Sequence, residues 1–363
     1  MPEVIFLIIL SGYFIQSVLF VIGAKKNFPR LNDTELPTAT VIVAARDEED
    51  KILRCLESLG KLEYPEGKLE IIIVDDRSTD RTGEIIDKFI TSRDHFRKII
   101  PDEPKGKMVG KVNALATAIR VANGEIVLTT DADCEVKPLW VKTVASFFTK
   151  DVGMVDGYTT QMVNNSFDGM QAIDFVYLLM VAGGTINLGI PITCIGNNMS
   201  FRKKAYDEAG GYEKLPFSVT EDFTLLRAIY KLKKYKILFP LEENALITSI
   251  PCPDFKSLYH QKKRWAVGGL GVPIRGFFIM FWGYLTHLCI ILTPLFFSPV
   301  WLYLIFFKIT TDFFIMYQIH QRLGITKNLK HFFAFQIYYI PYVLVLPFIV
   351  LASRKVIWKG REY

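Results

Sequence analysis

An uncharged apolar run near the start of the chain is the feature that most constrains its fold. Residues 4–23, VIFLIILSGYFIQSVLFVIG, contain no charged side chain over 20 positions. A helix of about 20 such residues is long enough to cross the roughly 30 Å hydrocarbon core of a bilayer. Further long apolar stretches fill residues 277–352. The sequence therefore predicts an integral membrane protein with a large soluble middle.

The first apolar run has two interpretations, a cleaved signal peptide and an uncleaved anchor. The three residues before it, MPE, carry no positive charge, and no small-residue cleavage site follows it. Instead, the basic residues Lys25, Lys26 and Arg30 come directly after it. By the positive-inside rule, the N-terminus lies outside and the chain from residue 24 onward lies in the cytoplasm. We therefore expect residues 1–24 to form an N-terminal transmembrane anchor.

Charge and cysteine content exclude several classes of protein. The 43 Lys and Arg residues against 37 Asp and Glu residues give a net charge of +6, and no basic run is as dense as a nucleic-acid-binding arm. We therefore predict no nucleic-acid partner, and we expect the positive excess to face anionic lipid or phosphate. The five cysteines are scattered without a C-x-x-C pair. This argues against a zinc site and a disulfide framework, and it fits a reducing compartment.

The soluble middle begins with an alternation of short apolar runs and helical stretches over residues 38–160. Three runs are strand-like and three segments are helix-like: 41–45, 71–76 and 125–133, and 49–60, 81–90 and 110–122. Such alternation with fully apolar strands predicts an α/β fold whose mainly parallel sheet is covered on both faces. In sheets of this kind, ligands bind beyond the carboxyl ends of the strands.

Acidic residues stand where each of the three predicted strands ends. They come in pairs: Asp47 and Glu48, Asp75 and Asp76, and Asp131 and Asp133. One pair would mean little because solvated turns favour Asp, but three in register indicate a site. The last pair forms a D-x-D pattern, whose carboxylates can hold Mg²⁺ or Mn²⁺ while substrate phosphates and water complete the coordination. The alternative for D-x-D is a solvated turn.

Seven motifs, in their order along the chain, resemble those of glycosyltransferase family 2. They are VIVAARDEE (41–49), IIIVDDRSTDRT (71–82), GKVNAL (110–115), DADC (131–134), GNNMSFR (196–202), TED (220–222) and QKKRW (261–265). The resemblance covers roughly residues 38–265 and extends to the flanking membrane segments. The last motif, Q-x-x-R-W, resembles that of the membrane-embedded branch, which includes cellulose and hyaluronan synthases and ceramide glucosyltransferase.

The resemblance implies a GT-A fold for the soluble middle, a UDP-sugar as donor, and a divalent metal ion, Mg²⁺ or Mn²⁺, as cofactor. Carried over position by position, it implies that Ala45, Asp47 and Asp76 contact the uracil and ribose of the donor. These three positions lie at or just after the ends of the first two predicted strands.

Further implied roles concern the diphosphate, the metal ion and the acceptor. The resemblance implies that Lys111 and Asp131 bind the nucleotide-sugar, and that Asp133 binds the metal together with Asp131. It places catalysis in the TED motif, with Asp222 as the general base beside Glu221. A positioned carboxylate that removes the acceptor proton contributes roughly 10²–10⁴-fold to the rate. The alternative for TED is a helix cap followed by first-turn acids.

The Q-x-x-R-W motif is implied to close the site over the diphosphate and the acceptor entrance through Gln261, Arg264 and Trp265. Arginine suits phosphate because its planar fork donates two hydrogen bonds at once. The alternative is an interfacial basic run ahead of a membrane segment. We expect that alternative to hold for Lys262 and Lys263.

The apolar C-terminal part divides into three candidate spans, 277–297, 299–318 and 332–352. If all three crossed, the basic tail would lie outside, against the positive-inside rule. Pro341 and Pro347 permit a bent or re-entrant path for the third segment. We expect this path, because it returns the tail, including WKGREY (358–363), to the cytoplasm.

Two more features of the apolar segments have open interpretations. The stretch 168–190 is interrupted by an acidic residue and a Gly-Gly pair, so we expect an interfacial or core helix rather than a span. Lys308 and Asp312 lie one helical turn apart and can pair on one face. They form either a purely structural ion pair or part of an acceptor path.

Together these features predict a multi-pass protein of the cell membrane with three parts: an anchor at 1–24, a cytoplasmic GT-A domain at 38–265 and a transmembrane region at 276–353. The predicted function is that of a metal-dependent, inverting hexosyltransferase that moves a sugar from a nucleotide-sugar to a lipid acceptor in the bilayer. The rival is a processive polysaccharide synthase. We favour the lipid because so few spans cannot line a polysaccharide tunnel within one chain.

Overall fold

The computed structural model of the chain describes residues 1–104, 108–216, 218–272, 274–358 and 361–362. Lys359, Gly360 and Tyr363 of the predicted tail motif lie outside these residues. The described helices are α1 (Pro2–Ala24), α2 (Ile52–Leu59), α3 (Thr82–Ile90), α4 (Lys111–Val121), α5 (Trp140–Ala145), α6 (Ser166–Asn187), α7 (Lys203–Glu208), α8 (Gly211–Lys214), α9 (Glu221–Lys231), α10 (Phe255–Gly269), α11 (Ile274–Ile291), α12 (Pro299–Arg322) and α13 (Phe332–Ala352). The described strands are β1 (Ala39–Ala45), β2 (Leu69–Asp75), β3 (Phe96–Ile99), β4 (Ile126–Asp131), β5 (Val152–Asp156), β6 (Thr159–Gln161), β7 (Met199–Arg202), β8 (Lys236–Leu238), β9 (Ile247–Ser249), β10 (Ile357–Trp358) and β11 (Arg361–Glu362).

The chain divides into two compact units, each built from separate stretches of sequence. The sheet unit comprises Lys26–Thr160 and Cys194–Ile250. The helical unit comprises Met1–Lys25, Gln161–Thr193 and Pro251–Tyr363. The predicted functional parts, 1–24, 38–265 and 276–353, stay predictions.

The sheet unit is built on a seven-stranded sheet in the order β3-β2-β1-β4-β7-β5-β8. Strands β3, β2, β1 and β4 are parallel, β5 and β8 are parallel, and β7 runs antiparallel to both of its neighbours. The prediction of a mainly parallel α/β sheet is confirmed. Val41, Ile42 and Val43 of β1 are all fully buried, which is why this strand is apolar on both faces. Burying each such side chain contributes about 1.5–3 kcal/mol.

Within the described residues, five helical segments of the helical unit are long and apolar enough to cross a membrane. They are α1, α6, α11, α12 and the segment Thr326–Ala352, which includes α13. In α6, 89% of the most apolar window is buried inside the protein, against at most 33% in the other four. This burial fits the expectation of a core helix for the stretch 168–190, although α6 has the length of a span.

A close contact between α1 and α6 explains the Gly-Gly pair that interrupts the apolar stretch. A Cβ atom at Gly23 would lie 2.2 Å from the carbonyl oxygen of Gly184, and one at Gly184 would lie 2.5 Å from that of Phe20. Small residues of this kind let membrane helices approach closely. Asn187 adds a hydrogen bond, because its amide donates to the Gly23 carbonyl at 3.0 Å. Helix α6 is therefore continuous through the Gly-Gly pair, although the sequence pattern suggests an interruption there.

The third C-terminal segment is one continuous helix, α13, with Pro341 and Pro347 inside it. A re-entrant path that reverses within 332–352 is therefore wrong, because the backbone of α13 does not turn back, whereas a helix that enters the membrane without crossing it stays a prediction. Neighbouring helices and local adjustments let proline stand inside membrane helices. The side of the membrane on which the tail lies stays a prediction.

The Lys308–Asp312 pair predicted from the sequence lies in the interior of the helical unit. The ammonium of Lys308 is 2.8 Å from Asp312 and donates to the Gln336 side chain at 2.9 Å. Gln336 and the Tyr13 hydroxyl both donate to Asp312, at 3.0 and 2.7 Å. Because these groups bond to one another across three helices, the cluster favours the structural interpretation over an acceptor path.

Candidate active site

The strand register brings the predicted acidic residues to one edge of the sheet. Ala45 of β1 stands opposite Asp75 of β2, and Ala44 stands opposite Asp131 of β4. These strands are parallel, so their carboxyl ends meet at the same level. The residues that follow them are therefore neighbours in space, as the sequence predicted.

The turn after β1 is tied to the turn after β2. Asp47 adopts a left-handed backbone conformation, with φ of 51°, which is uncommon outside glycine and marks a constrained position. Its carboxylate accepts a hydrogen bond from the Thr79 backbone N–H at 2.7 Å, and its own N–H donates to the Ser78 hydroxyl at 3.2 Å. The Asp47 side chain is nevertheless 44% exposed. A ligand can reach a carboxylate that the protein already holds in place.

The two acids at the end of β2 have different surroundings. Asp75 accepts from the Ser78 backbone N–H at 3.0 Å and lies 3.5 Å from the Lys98 ammonium, so it serves the turn. Asp76 is held by its own N–H, which donates to the Ala45 carbonyl at 2.8 Å, and its carboxylate lies 3.8 Å from Arg46. The structure thus brings together the three residues predicted to contact uridine, Ala45, Asp47 and Asp76. Their roles stay predictions.

Lys111 connects the D-x-D and TED motifs. Gly110, with φ of 57°, makes the turn that sets Lys111 at the first position of α4. The Lys111 ammonium is 2.5 Å from Asp131 and 3.5 Å from Glu221. Burial alone would lower the pKa of Lys111, but the two carboxylates outweigh it, and the pKa is raised. Lys111 is therefore a fixed positive charge between two motifs that are about 90 residues apart in the sequence.

Asp133 lies close to two other carboxylates, those of Asp131 and Glu48. This excess of negative charge bears on whether the site fits a metal ion. Burial raises the pKa of the Asp133 carboxyl, and the charges of Asp131 and Glu48 raise it further. A divalent cation would relieve this repulsion, and Asp133 is only half-buried. In the described part of the chain, no group of three or more His, Cys, Asp or Glu side chains is arranged to hold a metal. The residues therefore fit an ion that takes two carboxylates from the protein and its other ligands from phosphate and water.

Asp222 stands in the first turn of α9. One of its carboxylate oxygens accepts from the Phe223 backbone N–H at 2.7 Å, and the partial positive charge of the helix N-terminus attracts a carboxylate at this position. Gly196 gives it room, because a Cβ atom at that position would lie 3.3 Å from the Asp222 carboxylate. Among the described residues, Thr220 makes no side-chain capping bond, and its hydroxyl lies 3.1 Å from that of Ser218. Thr220 thus stands at the N-cap position of α9 without a side-chain capping bond, and Glu221 and Asp222 are the first-turn acids that the cap interpretation of TED expects.

The structure adds Asp156, a residue that the sequence analysis missed. It ends β5, which runs parallel to β4, and it lies level with Thr129 across the intervening β7. Its side chain is 1% exposed, and neither carboxylate oxygen has a hydrogen-bond partner within the described residues. Burial raises the pKa of Asp156 well above its usual range, and the nearby Asp222 raises it further. The signal was a fourth apolar run that ends in an acid, GMVDG.

The Q-x-x-R-W residues Gln261, Arg264 and Trp265 lie on α10, which belongs to the helical unit. Within that unit, Trp265 packs on the ring of Phe175 with a centroid distance of 5.3 Å. Lys262 is not an interfacial lysine: it is 5% exposed, so that prediction is wrong. The same prediction for Lys263, and the roles of Gln261, Arg264 and Trp265 in closing the site, are not tested.

Two protein-family models match the chain. One, described as Glycosyl transferase family 2, matches residues 40–210. The other, described as Glycosyl transferase family group 2, matches residues 126–351. The second match covers more than half of the chain and includes α10 to α12.

The chain is similar to relatives that are named for different products. The chain is 29% identical to a beta-monoglucosyldiacylglycerol synthase of Nostoc over 70% of its length. That match covers 54% of the Nostoc protein, so the chain spans about half the length of this relative. The chain is also 28% identical to a poly-beta-1,6-N-acetyl-D-glucosamine synthase of Staphylococcus aureus, over 81% of the chain and 68% of that protein.

A solved structure has the same fold. It is the mannosyltransferase PcManGT of Pyrobaculum calidifontis, in complex with GDP-Man and Mn²⁺, with a TM-score of 0.58 and 19% sequence identity. The match covers 93% of this chain and 99% of that one. It confirms a GT-A-like α/β fold with a mainly parallel sheet.

Proposed function

The chain belongs to glycosyltransferase family 2, and we propose that it is a membrane-bound, inverting glycosyltransferase that moves a sugar from a UDP-sugar to a membrane lipid. The observation that carries this proposal is the position of Lys111, which contacts Asp131 of the D-x-D motif and Glu221 of the TED motif. The residues expected to bind the donor and those expected to act on the acceptor therefore form one charged site.

The donor end of the site consists of the carboxylates at the sheet edge. Asp47 and Asp76 would hold the uridine, and Asp131 and Asp133 would hold Mg²⁺ or Mn²⁺. When bound, the ion neutralises charge that develops on the diphosphate leaving group. The archaeal mannosyltransferase of the same fold was solved with Mn²⁺, which supports a divalent cofactor.

Asp222 would act as the general base of the transfer. Its carboxylate takes the proton of the acceptor hydroxyl as that oxygen bonds to the anomeric carbon of the sugar. The bond between this carbon and the diphosphate oxygen breaks, and UDP leaves. A single displacement of this kind inverts the anomeric configuration. The first turn of α9 places this carboxylate at the positive end of the helix dipole, which attracts negative charge.

We place the chain in the membrane-embedded branch of the family because of its Q-x-x-R-W motif. Arg264 would add a second fixed positive charge for the diphosphate, and Trp265 would border the acceptor entrance. Preorganised charges of this kind stabilise the transition state more than the ground state. The family match through residue 351 supports treating α10 and the helices after it as one functional region.

A lipid acceptor is favoured over a growing polysaccharide. The buried charged side chains of α12, Lys308 and Asp312, are bonded to each other and to Gln336, so they do not line a polar path. A lipid needs no such path because its hydroxyl already lies at the membrane surface. The Nostoc relative is named for a glycolipid product, whereas the staphylococcal relative is named for a polymer. The second name keeps the polysaccharide synthase as the alternative.

We propose a cytoplasmic catalytic unit and a cytoplasmic tail. Helix α10 precedes α11 and α12, which would cross outward and back. Strand β10, after α13, lies against α10 within the helical unit. This contact supports a tail on the same side of the membrane as α10, and α13 would then enter the membrane without crossing it.

The size of the product tests the proposal. Purified full-length protein in lipid receives a panel of radiolabelled UDP- and GDP-sugars and a membrane lipid extract as acceptor. We expect label from a UDP-sugar in organic-extractable material that carries one or two sugars, and none with the Asp222→Asn variant. A water-soluble ladder of long chains would establish the polysaccharide synthase instead. Transfer from none of the donors would refute the proposed activity.

A further inference from the structure

A buried ion pair joins α6 to the helix that carries the Q-x-x-R-W motif. The carboxylate of Asp174 and the ammonium of Lys262 are in direct contact, with side chains 3% and 6% exposed. Removing two charges from water is costly, and well-packed apolar residues in such a place are often equally or more stable. A role in stability alone therefore does not explain this pair.

The charge of Lys262 faces aromatic rings. Its ammonium lies 4.5 Å from the centroid of the Trp265 ring and 5.5 Å from that of Tyr342. A cation this close to an indole face is attracted by the electron density of the ring. Phe175, the residue after Asp174 on α6, also packs on Trp265, and the centroids of the two rings are 5.3 Å apart. Two adjacent residues of α6 thus hold two residues of α10 that are one turn apart.

The same face of α6 holds the start of α10. The side-chain amide of Gln171 donates to the Cys252 carbonyl at 3.1 Å and accepts from the Cys252 N–H at 3.0 Å. One turn earlier, Phe167 packs on Phe255 with a centroid distance of 4.7 Å. Positions three and four apart share one helix face. This face of α6 therefore fixes α10 from its first turn to Trp265.

We propose that the Asp174–Lys262 pair positions Trp265, and with it the Q-x-x-R-W segment, for sugar transfer. This inference rests on the proposed function, in which Trp265 borders the acceptor entrance. Lys262 is a positioning residue: its charge holds the indole ring, and Asp174 holds Lys262. The orientation of Trp265 therefore depends on the buried charge of Lys262.

Four variants test the pair through kinetics. Lys262→Met keeps the length of the side chain and removes its charge; we expect kcat to fall roughly 10- to 100-fold and the acceptor KM to rise, with the donor KM nearly unchanged. Lys262→Arg keeps the charge and should retain most of kcat. Lys263→Met, the matched control on the neighbouring lysine, should behave as wild type. The double variant Lys262→Met/Asp174→Asn leaves no unpaired charge, so it should recover the thermal stability of the wild type while kcat stays low.

Recovery of kcat in the double variant would show a purely structural pair and overturn the proposal, as would an unchanged kcat in Lys262→Met. Hydrogen exchange of residues 255–269 gives a readout that does not need activity. Exchange should accelerate in Lys262→Met and in the double variant, and not in Lys263→Met. If the wild type transfers no sugar, the proposed function fails, and the exchange experiment still decides whether the pair fixes α10. Equal exchange in all variants would overturn the inference.

Discussion

Replacing Asp156 with Asn should change how the stability of the sheet unit depends on pH. Asp156 is buried at the end of β5 with no hydrogen-bond partner among the described residues, and its pKa is raised well above the usual range, first by burial and then by Asp222. Between the ordinary pKa of an Asp, about 3.9, and the raised pKa, the folded protein keeps a proton that the unfolded chain has released. Stability from this group is therefore fully present at low pH and is lost as the pH rises through that window.

The size of the effect follows from one proton. Each pH unit inside the window lowers the free energy of unfolding by about 1.4 kcal/mol. The sheet unit has about 190 residues, for which 1 kcal/mol corresponds to about 2–4 °C in melting temperature. Since Asn does not titrate, Asp156→Asn should gain about 3–6 °C over the wild type per pH unit within the window. The two proteins should converge toward pH 4.

Thermal proteolysis of the full-length protein in detergent measures this effect. Mass spectrometry of the peptides from the sheet unit reports the temperature at which that unit opens, at a series of pH values. Asp151→Asn is the matched control, because Asp151 directly precedes β5, is half-exposed, and has a pKa lowered by its hydrogen bond with Lys236. The Asp151→Asn variant should not gain melting temperature over the wild type as the pH rises. Parallel curves for Asp156→Asn and the wild type would refute the reasoning.

Four further predictions concern the site and the membrane part. Asp222→Asn should abolish transfer while UDP affinity stays within a few-fold, because the helix end that holds it is separate from the uridine residues; full transfer by this variant in the radiolabel assay would exclude it as the base. Asp133→Ala should remove metal-dependent UDP binding in calorimetry, and EDTA should silence the wild type until Mn²⁺ or Mg²⁺ is added; undiminished activity in EDTA would contradict the metal role. Ser353→Cys should resist an impermeant thiol reagent in intact cells and react after permeabilisation, with the wild type as background; labelling of intact cells would place the tail outside. Lys308→Met should destabilise the helical unit by about 3–5 kcal/mol because Asp312 is left without its cation, and Lys308→Met/Asp312→Leu should recover most of that loss in detergent unfolding; an unchanged single variant would show that the pair is dispensable.

The sequence predicted β1, β2 and β4 well because each is an apolar run bounded by polar residues, but it missed β3 (Phe96–Ile99). The runs 41–45 and 71–76 agree with β1 and β2 to within two residues at their starts. The antiparallel β7 was missed: it is four residues long, Met199–Arg202, and inserts between β4 and β5 from a distant part of the chain. A run of four residues is too short to show a strand pattern in one sequence. Because β7 was not predicted, the sequence also did not indicate that Asp156 at the end of β5 lies close to the predicted site.

The helical unit shows a second limit of sequence patterns. A lysine beside a membrane segment favours an interfacial location, and for Lys262 this is wrong because its partner, Asp174, is 88 positions earlier. The Gly-Gly pair at Gly183 and Gly184 reads as a helix breaker, although it permits a close approach to α1. In both cases the meaning of a residue depends on which helix lies against it.

The burial of α1 determines how this protein can be produced. Deleting an N-terminal anchor yields a soluble folded protein only if the deleted helix does no more than tether the rest of the chain. Here Phe6, Leu10, Tyr13 and Phe20 of α1 are at most 5% exposed. Deleting residues 1–24 would open the groove beside Gly184 and remove the hydroxyl donor of Asp312. Truncated protein should therefore aggregate, and biochemical work on this chain calls for intact protein in detergent or lipid from the start.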